Sequence, residues 1–219
     1  MITFEDIKSN EKIRTYITRA DESLIALGFT EHSFSHVLRV AKDAKYILET
    51  LEYPERTLEL AQIAAYLHDI GNLVNRIEHS QSGAVMAFSI LNDLGFDPSE
   101  TATIVTAIGN HDEGTGVAVN PVSASLIIAD KSDVRRSRVR NPDISNFDIH
   151  DRVNYSVKES SIKINEERTL LKLKLNIDTR YGSVMDYFEI FMARMIMCRK
   201  ACETLGMKFK LIINEQQLI

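Results

Sequence analysis

The fold is predicted from the stretch AYLHDIG at residues 65–71. It combines the apolar end of a predicted helix with the adjacent pair of His68 and Asp69. Gly71 follows, and we expect it to end the helix. Neighbouring residues of a helix point to different faces, so such a pair meets one ligand only near a helix end. There both side chains can reach one cation, and the second carboxylate oxygen of Asp69 remains free for a neighbouring metal ion.

Other histidines and an aspartate accompany this pair along the chain. They are His36 upstream, and His79, His111 and Asp130 downstream. The resulting order, H…HD…H…H…D, resembles that of the HD-domain metal-dependent phosphohydrolase superfamily, particularly its dinuclear branch. The resemblance covers about residues 30–135, and it implies a helical bundle that surrounds a metal centre.

The resemblance also implies a ligand set. A first ion would be held by His36, His68, Asp69 and Asp130. Asp69 would bridge to a second ion completed by His79 and His111, which makes Asp69 the predicted catalytic residue. Imidazoles mixed with carboxylates favour Fe, Mn, Zn, Co or Ni over Ca, with Mg as an alternative that prefers oxygen-rich shells. We therefore expect one or two divalent metal ions per chain.

Several of these residues have a simpler interpretation when each is taken alone. His36 could be a core histidine, and His79 could be an exposed histidine of a loop. Asp130 ends the apolar run LIIAD, where a buried carboxylate is unfavourable unless it is paired or binds a metal, so a ligand is favoured. His32 and His150 match no position of the motif, and we expect them at the surface or, at most, behind the ligands.

The expected contacts to substrate phosphate come from a basic cluster. The family often continues its motif as HDIGK, with the lysine near phosphate, but this chain has Asn72 there. A replacement cation is predicted at Lys131 or Arg135, in a stretch that also contains Arg136, Arg138 and Arg140. Guanidinium groups match phosphate oxygens in pairs. The alternative is a solvated charged loop.

Helical periodicity extends through the first two thirds of the chain. It predicts helices at residues 13–27, 31–51, 56–69, 82–94, 98–111 and 121–130. Short turns join them, which is typical of a compact bundle. We therefore predict an all-α bundle of the HD-domain type over residues 1–150.

The pattern changes after residue 150. Leu171 to Asp178 alternates between apolar and polar residues, as in a half-buried strand, and Ile162 and Ile164 suggest its hairpin partner. A capping box at Ser183 begins a long helix, and a further strand follows at residues 207–213. The methionine and cysteine stripe of this helix is interpreted as core. Residues 151–219 are thus predicted to be a small α+β (ββαβ) domain whose open sheet edges mediate homodimerisation, with effector binding as the alternative.

Composition limits the classes of partner. The chain of 219 residues has a net charge of −5, with −8 in residues 1–150 and +3 in residues 151–219. We therefore expect no nucleic-acid binding, although local basic patches could hold phosphates. The N-terminus does not resemble a signal peptide, and no stretch is long and apolar enough to span a membrane. Cys198 and Cys202, four residues apart in a helix, are predicted to be free thiols, which indicates a cytoplasmic protein.

The predicted function is hydrolysis of a phosphate ester or anhydride in a nucleotide or similar small phosphate. Diadenosine tetraphosphate hydrolases, cyclic dinucleotide phosphodiesterases and iron oxygenases belong to the same branch. The single His111 and the absence of a GYP triplet argue against the cyclic dinucleotide enzymes. A dinuclear-iron oxygenase and a non-catalytic metal-containing sensor remain the alternatives.

Overall fold

The computed structural model describes residues 1–218, which are mainly helical. The α-helices are α1 (Phe4–Ser9), α2 (Glu11–Ala26), α3 (Phe34–Thr50), α4 (Glu55–Leu67), α5 (His79–Asp93), α6 (Pro98–Gly109), α7 (Pro121–Ser132), α8 (Ile149–Ser156) and α9 (Val184–Thr204). The strands are β1 (Val157–Ile164), β2 (Leu170–Ile177), β3 (Lys208–Ile213) and β4 (Gln216–Gln217). The predicted fold class, a helical bundle with a small C-terminal α+β unit, is confirmed.

Local sequence explains most helix ends. Asp97 and Asn120 cap α6 and α7, and a proline follows each cap in the first helical turn. Gly28 and Gly95 follow α2 and α5 with φ of +79° and +80°, a conformation that favours glycine. Helices α1 and α8 and strand β4 were not predicted, because elements this short contain too little periodic pattern.

Helix α4 lies at the centre of the bundle. Its side chains are buried on nearly all sides over its second half, from Leu60 to Leu67. A helix that is apolar all round is typical of a core position. It packs against α3, α6 and α7. Because α4 ends in the middle of the bundle, His68 and Asp69 enter the protein interior.

The segment after α4 corrects the prediction for Gly71. Helix α4 ends at Leu67, and Gly71 lies beyond it in a 3-10 turn, Ile70–Leu73, so it does not end the helix. Helix α5 passes so close to this turn that a Cβ atom on Gly71 would collide with the backbone oxygen of His79 and the backbone nitrogen of Gly83. Glycine is therefore required here for the approach of α5, which brings His79 towards Asp69.

The C-terminal strands form one four-stranded sheet in the order β1-β2-β3-β4. β1 and β2 form the predicted antiparallel hairpin, and β3 lies parallel to β2 after the α9 crossover. Leu173, Leu175 and Ile177 of β2 are buried, whereas Lys174 and Asn176 between them are exposed. The predicted alternation and the ββαβ order are therefore confirmed, with β4 added at one edge.

Helix α9 connects the sheet to the bundle. It packs against α7 on one side and against β3 on another, and its buried Phe191, Met195, Cys198 and Cys202 belong to the same apolar core as the bundle residues. The methionine and cysteine stripe is thus core, as predicted. The division into domains at residue 150 stays a prediction. In the described part of the chain, residues 1–218, none of the helices has the length and apolar character needed to cross a membrane.

Candidate metal centre

The six predicted metal ligands come together at one place in the bundle. Helix α3 provides His36, helix α7 provides Asp130, and the segments that follow α4 and α6 provide the remaining ligands apart from His79. The histidines and Asp69 are buried, and the side chain of Asp130 is 12% exposed. Side chains that are far apart in the sequence therefore share one interior site.

His79 corrects a sequence prediction. A loop was predicted at this position, with the following helix beginning at Ser82, whereas α5 begins at His79 and the imidazole is buried. Glu78 precedes the helix in the left-handed conformation, with φ of +58°, which hydrophobic periodicity does not reveal. The alternative of an exposed loop histidine is therefore wrong.

The first half of the site consists of four side chains that face one point. Nε2 of His36 lies 3.3 Å from Nε2 of His68 and 3.3 Å from Oδ1 of Asp130. Oδ2 of Asp69 lies 3.2 Å from Nε2 of His68. Ligands that are about 2.1 Å from a common ion, at angles of about 90–110°, are about 3.0–3.4 Å apart. These atoms thus have the spacing of a coordination shell.

The other carboxylate oxygen of Asp69 faces the remaining histidines. Oδ1 of Asp69 lies 3.5 Å from Nε2 of His79, which in turn lies 3.2 Å from Nε2 of His111. Asp69 therefore lies between two groups of donors and directs one oxygen towards each.

Each of the four imidazoles is oriented through its Nδ1 atom. Nδ1 of His36 donates to Oδ2 of Asp133 over 2.8 Å. The other three rings donate to backbone carbonyl oxygens three residues earlier: His68 to Ala65 (2.7 Å), His79 to Arg76 (3.1 Å) and His111 to Ile108 (2.6 Å). Because Nδ1 donates these hydrogen bonds, Nε2 of each ring faces the site and presents a lone pair to a metal ion once its own proton is lost. Histidines that bind metals are commonly oriented in this way.

The donor set fits a metal ion. Within residues 1–218, Oδ2 of Asp69 is buried without a hydrogen-bond partner, which is unfavourable for a carboxylate unless a cation compensates. The groups His36, His68, Asp130 and His68, Asp69, His111 each have donor atoms within 4.8 Å of one another. Mixed imidazole and carboxylate donors suit first-row divalent metals. The residues present could thus hold at least one such ion.

Electrostatics at the site favour positive charge. Burial alone would lower the pKa of His68, but the carboxylates of Asp69 and Asp130 raise it to about 10. Burial would raise the pKa values of Asp69 and Asp130, yet His68 beside the first and Lys131 beside the second hold both pKa values well below their usual range. The two carboxylates thus stay ionised and attract a cation.

A cavity of about 210 Å³ opens beside the site and carries several cationic side chains on its wall. Asp69, His79, His111 and Asp130 reach this cavity from the candidate metal centre. The cations that line it are Arg76, Lys131, Arg138 and Arg194. Such a wall is complementary to phosphate oxygens.

The two predicted substrate contacts differ in position. Lys131 is buried and lines the cavity, with its Nζ 2.8 Å from Oδ2 of Asp130. Arg135 is not among the residues that line this cavity; it pairs instead with Glu31 at 3.0 Å and with Asp133 at 2.9 Å. The structure therefore brings only Lys131 of this pair to the candidate site.

Asn72 occupies the place where the family motif has lysine. Its Nδ2 donates to the backbone oxygen and to Oδ1 of Asp69, at 2.9 and 3.0 Å. Its own Oδ1 accepts from Arg76 at 3.3 Å, and Nη1 of Arg76 lies 4.0 Å from Oδ1 of Asp69. Asn72 thus orients Asp69, while Arg76, four residues further along the sequence, supplies a cation on the cavity wall.

Sequence reasoning missed several residues near the site. His32 and His150, expected at the surface or behind the ligands, both line the cavity. The spacing of four residues between His32 and His36 was the available signal for the first of them. Arg76 and Arg194 had no such signal, because their positions depend on how α5 and α9 pack. Asp133 lies within the basic cluster of residues 131–140, where its sequence pattern gives no sign of a contact with His36.

Comparisons with known proteins identify relatives of this chain. The family model described as HD domain matches residues 33–145. The uncharacterized protein MJ1020 of Methanocaldococcus jannaschii is 26% identical over 191 residues, which cover 76% of this chain and 73% of that protein. The crystal structure of a predicted HD superfamily hydrolase from an uncultured Thermotogales bacterium is 29% identical and matches with a TM-score of 0.45 over 57% of this chain and 67% of the other.

Proposed function

Because the chain belongs to the HD domain family, we propose that it is a metal-dependent phosphohydrolase that acts on a phosphate ester or anhydride. The proposed substrate is a nucleotide or a similar small phosphorylated compound. One observation carries this proposal: Asp69 directs its two carboxylate oxygens towards two groups of histidines, and Lys131 and three arginines line the cavity next to them.

The proposed cofactors are one or two divalent ions of Fe, Mn, Zn, Co or Ni, with Mg as the alternative. When bound, such ions supply Lewis acidity and lower the pKa of a bound water towards neutrality. His36, His68, Asp69 and Asp130 would hold the first ion. Asp69, His79 and His111 would hold the second.

The cavity side chains support phosphate chemistry rather than another reaction of the same ligand set. Arg76 lies beside Asp69 and Lys131 lies beside Asp130, so cations flank both carboxylates of the site. These cations would bind and orient phosphate oxygens next to the metal ligands. Charge stabilisation by such preplaced groups is a major contribution to phosphoryl transfer.

The proposal is tested by metal analysis and a phosphate-release screen. Protein purified without added metal should retain a divalent transition metal, and it should release phosphate from at least one nucleotide when reloaded with Mn²⁺. Asp69→Ala should lose both the metal and the phosphate release. Asp93→Ala, which changes an exposed aspartate of α5, is the control and should keep both. Retained metal with turnover that requires oxygen would indicate an iron oxygenase instead. Retained metal without any turnover would favour the sensor.

We also propose a homodimer formed through residues 151–219. Both edges of the sheet already have neighbours: Arg39 donates to the backbone oxygen of Ser160 at one edge, and β4 covers part of the other. The exposed apolar stripe of α9, formed by Met185, Met192 and Ile196, is therefore the surface we assign to the contact. Covering such a stripe would remove apolar area from water.

A further inference from the structure

Arg194 lies on the cavity wall although it belongs to α9, outside the matched residues 33–145. Its side chain is 25% exposed. The guanidinium carbon lies 4.6 Å from the ring centroid of Phe191, which lines the same cavity. Phe191 is buried in the contact between α9 and the bundle, so the guanidinium rests on a fixed aromatic surface.

A chain of charged contacts connects Arg194 to the metal ligands. Nε of Arg194 lies 2.5 Å from Oε1 of Glu113, and the same oxygen lies 3.3 Å from Nζ of Lys131. Lys131 in turn contacts Oδ2 of Asp130, whose Oδ1 faces His36 and His68. One side chain, that of Glu113, thus separates Arg194 from Lys131, which lines the cavity next to the candidate metal centre.

The charges next to Asp130 do not balance once this residue serves a metal ion, because the other carboxylates of the cavity wall, Asp148 and Asp151, form no ion pair with Lys131 or Arg194 in the described residues. Lys131 and Arg194 are then two cations that share one carboxylate, that of Glu113. Glu113 is the sole ionic partner of Arg194 in the described residues. A guanidinium has five N–H donors in a planar fork, so contact through Nε leaves the terminal donors for a ligand in the cavity. Surplus positive charge and free donors are complementary to an anion.

We propose that Arg194 and Lys131 form an anion subsite that binds a phosphate group of the substrate beside the metal centre. This inference rests on the proposed function and deepens it, because it assigns a substrate-binding residue to α9. Glu113 forms an ion pair with the guanidinium through Nε, and Phe191 supports its face. The C-terminal α+β unit therefore completes the substrate site of the helical bundle.

The test is binding of inorganic phosphate to the full-length protein, measured by calorimetry with and without Mn²⁺. A charge-assisted hydrogen bond is worth enough that Arg194→Ala should weaken phosphate binding by about ten- to a hundredfold. Arg194→Lys should weaken it less, since it keeps the charge but loses the fork. Arg199→Ala is the matched control, because Arg199 is exposed on the same helix. Acetate, a flat monoanion, should bind more weakly than phosphate to the wild type and should respond less to Arg194→Ala.

Phosphate binding and turnover separate the two proposals. Equal phosphate affinity in Arg194→Ala and wild type, or no phosphate binding by the wild type, would overturn the subsite even if nucleotides are hydrolysed. A selective loss in Arg194→Ala, with an unchanged melting temperature, would support the subsite even if no nucleotide is a substrate. If nucleotides are hydrolysed, the same variant should raise KM more than it lowers kcat.

Discussion

Asp133 accepts a hydrogen bond of 2.8 Å from Nδ1 of His36, and both side chains are buried. Asp133 follows α7, so it links the helix that provides Asp130 to the helix that provides His36. Burial would raise the pKa of Asp133, but the hydrogen bond and charge of His36 and the nearby charges of Arg138 and Arg135 hold that pKa well below its usual value. The carboxylate therefore stays ionised and fixes Nε2 of His36 towards the candidate metal centre.

The first prediction is that Asp133→Asn weakens metal binding although Asp133 is not a ligand. Loss of the carboxylate behind a ligating histidine typically costs about ten- to a hundredfold in metal affinity. The measurement is competition for Zn²⁺ or Mn²⁺ against a chelator of known affinity. Asp93→Asn is the control, since Asp93 is exposed on α5 and pairs with Lys12 rather than with a histidine. Unchanged affinity in Asp133→Asn would show that this hydrogen bond does not support the site.

The second prediction concerns Asp69, whose two oxygens face different histidines. Asp69→Ala should abolish metal binding and hydrolysis together, because both donor groups lose the carboxylate that lies between them. Metal content by mass spectrometry and phosphate release should be measured on the same preparation. Full activity in this variant would refute the proposed mechanism, whereas loss of activity with full metal content would give Asp69 a different role.

The third prediction is that His79 serves a second ion. Wild-type protein should bind two divalent ions per chain, and His79→Ala should bind one, because His79 faces Asp69 at Oδ1, whereas His68 faces it at Oδ2. Titration with Mn²⁺ in chelator-treated protein gives the stoichiometry. His150→Ala, an exposed histidine at the cavity, should keep two. One ion in both wild type and His79→Ala would reduce the centre to a mononuclear one.

The six residues that meet at the candidate centre could be identified from the sequence because their order resembles that of a known family. The bundle helices could be predicted because their apolar residues recur with the helical period. The role of Asp133 could not be predicted from the sequence, because a carboxylate next to a run of arginines usually belongs to a charged surface. Only the packing of α3 against α7 brings Asp133 to His36. Arg194 was missed for a similar reason: local pattern does not indicate that α9 packs on α7 and reaches the cavity.

The fourth prediction concerns the two thiols of α9. Burial raises the pKa of Cys198 well above its usual value and that of Cys202 to about 12, so both stay protonated at pH 8. Alkylation should therefore be slow in native protein and fast in urea. Lys200→Cys, at an exposed position of the same helix, should be labelled rapidly without urea. Rapid native labelling of Cys198 or Cys202 would contradict their place in the core.

The raised pKa of Cys202 also makes the free energy of unfolding depend on pH. A folded pKa above the unfolded value of 9.0 means that folding favours the protonated thiol. The contribution of Cys202 to stability is thus complete below about pH 9 and decreases as the pH rises towards 12. Cys202→Ala should make the free energy of unfolding less dependent on pH in that window, as measured by urea unfolding.

The last prediction is that α9 mediates self-association. Met192 and Ile196 lie one turn apart on its exposed side, so Met192→Glu with Ile196→Glu would place charges in an apolar contact and should convert a dimer to a monomer. Val85→Glu with Phe88→Glu, on the exposed side of α5, is the matched control and should leave the dimer intact. Sedimentation velocity reports the mass, and circular dichroism reports the fold. Because a symmetric contact uses the same stripe twice, each substitution acts on both subunits. A monomeric wild type, or equal dissociation in the control, would exclude this surface.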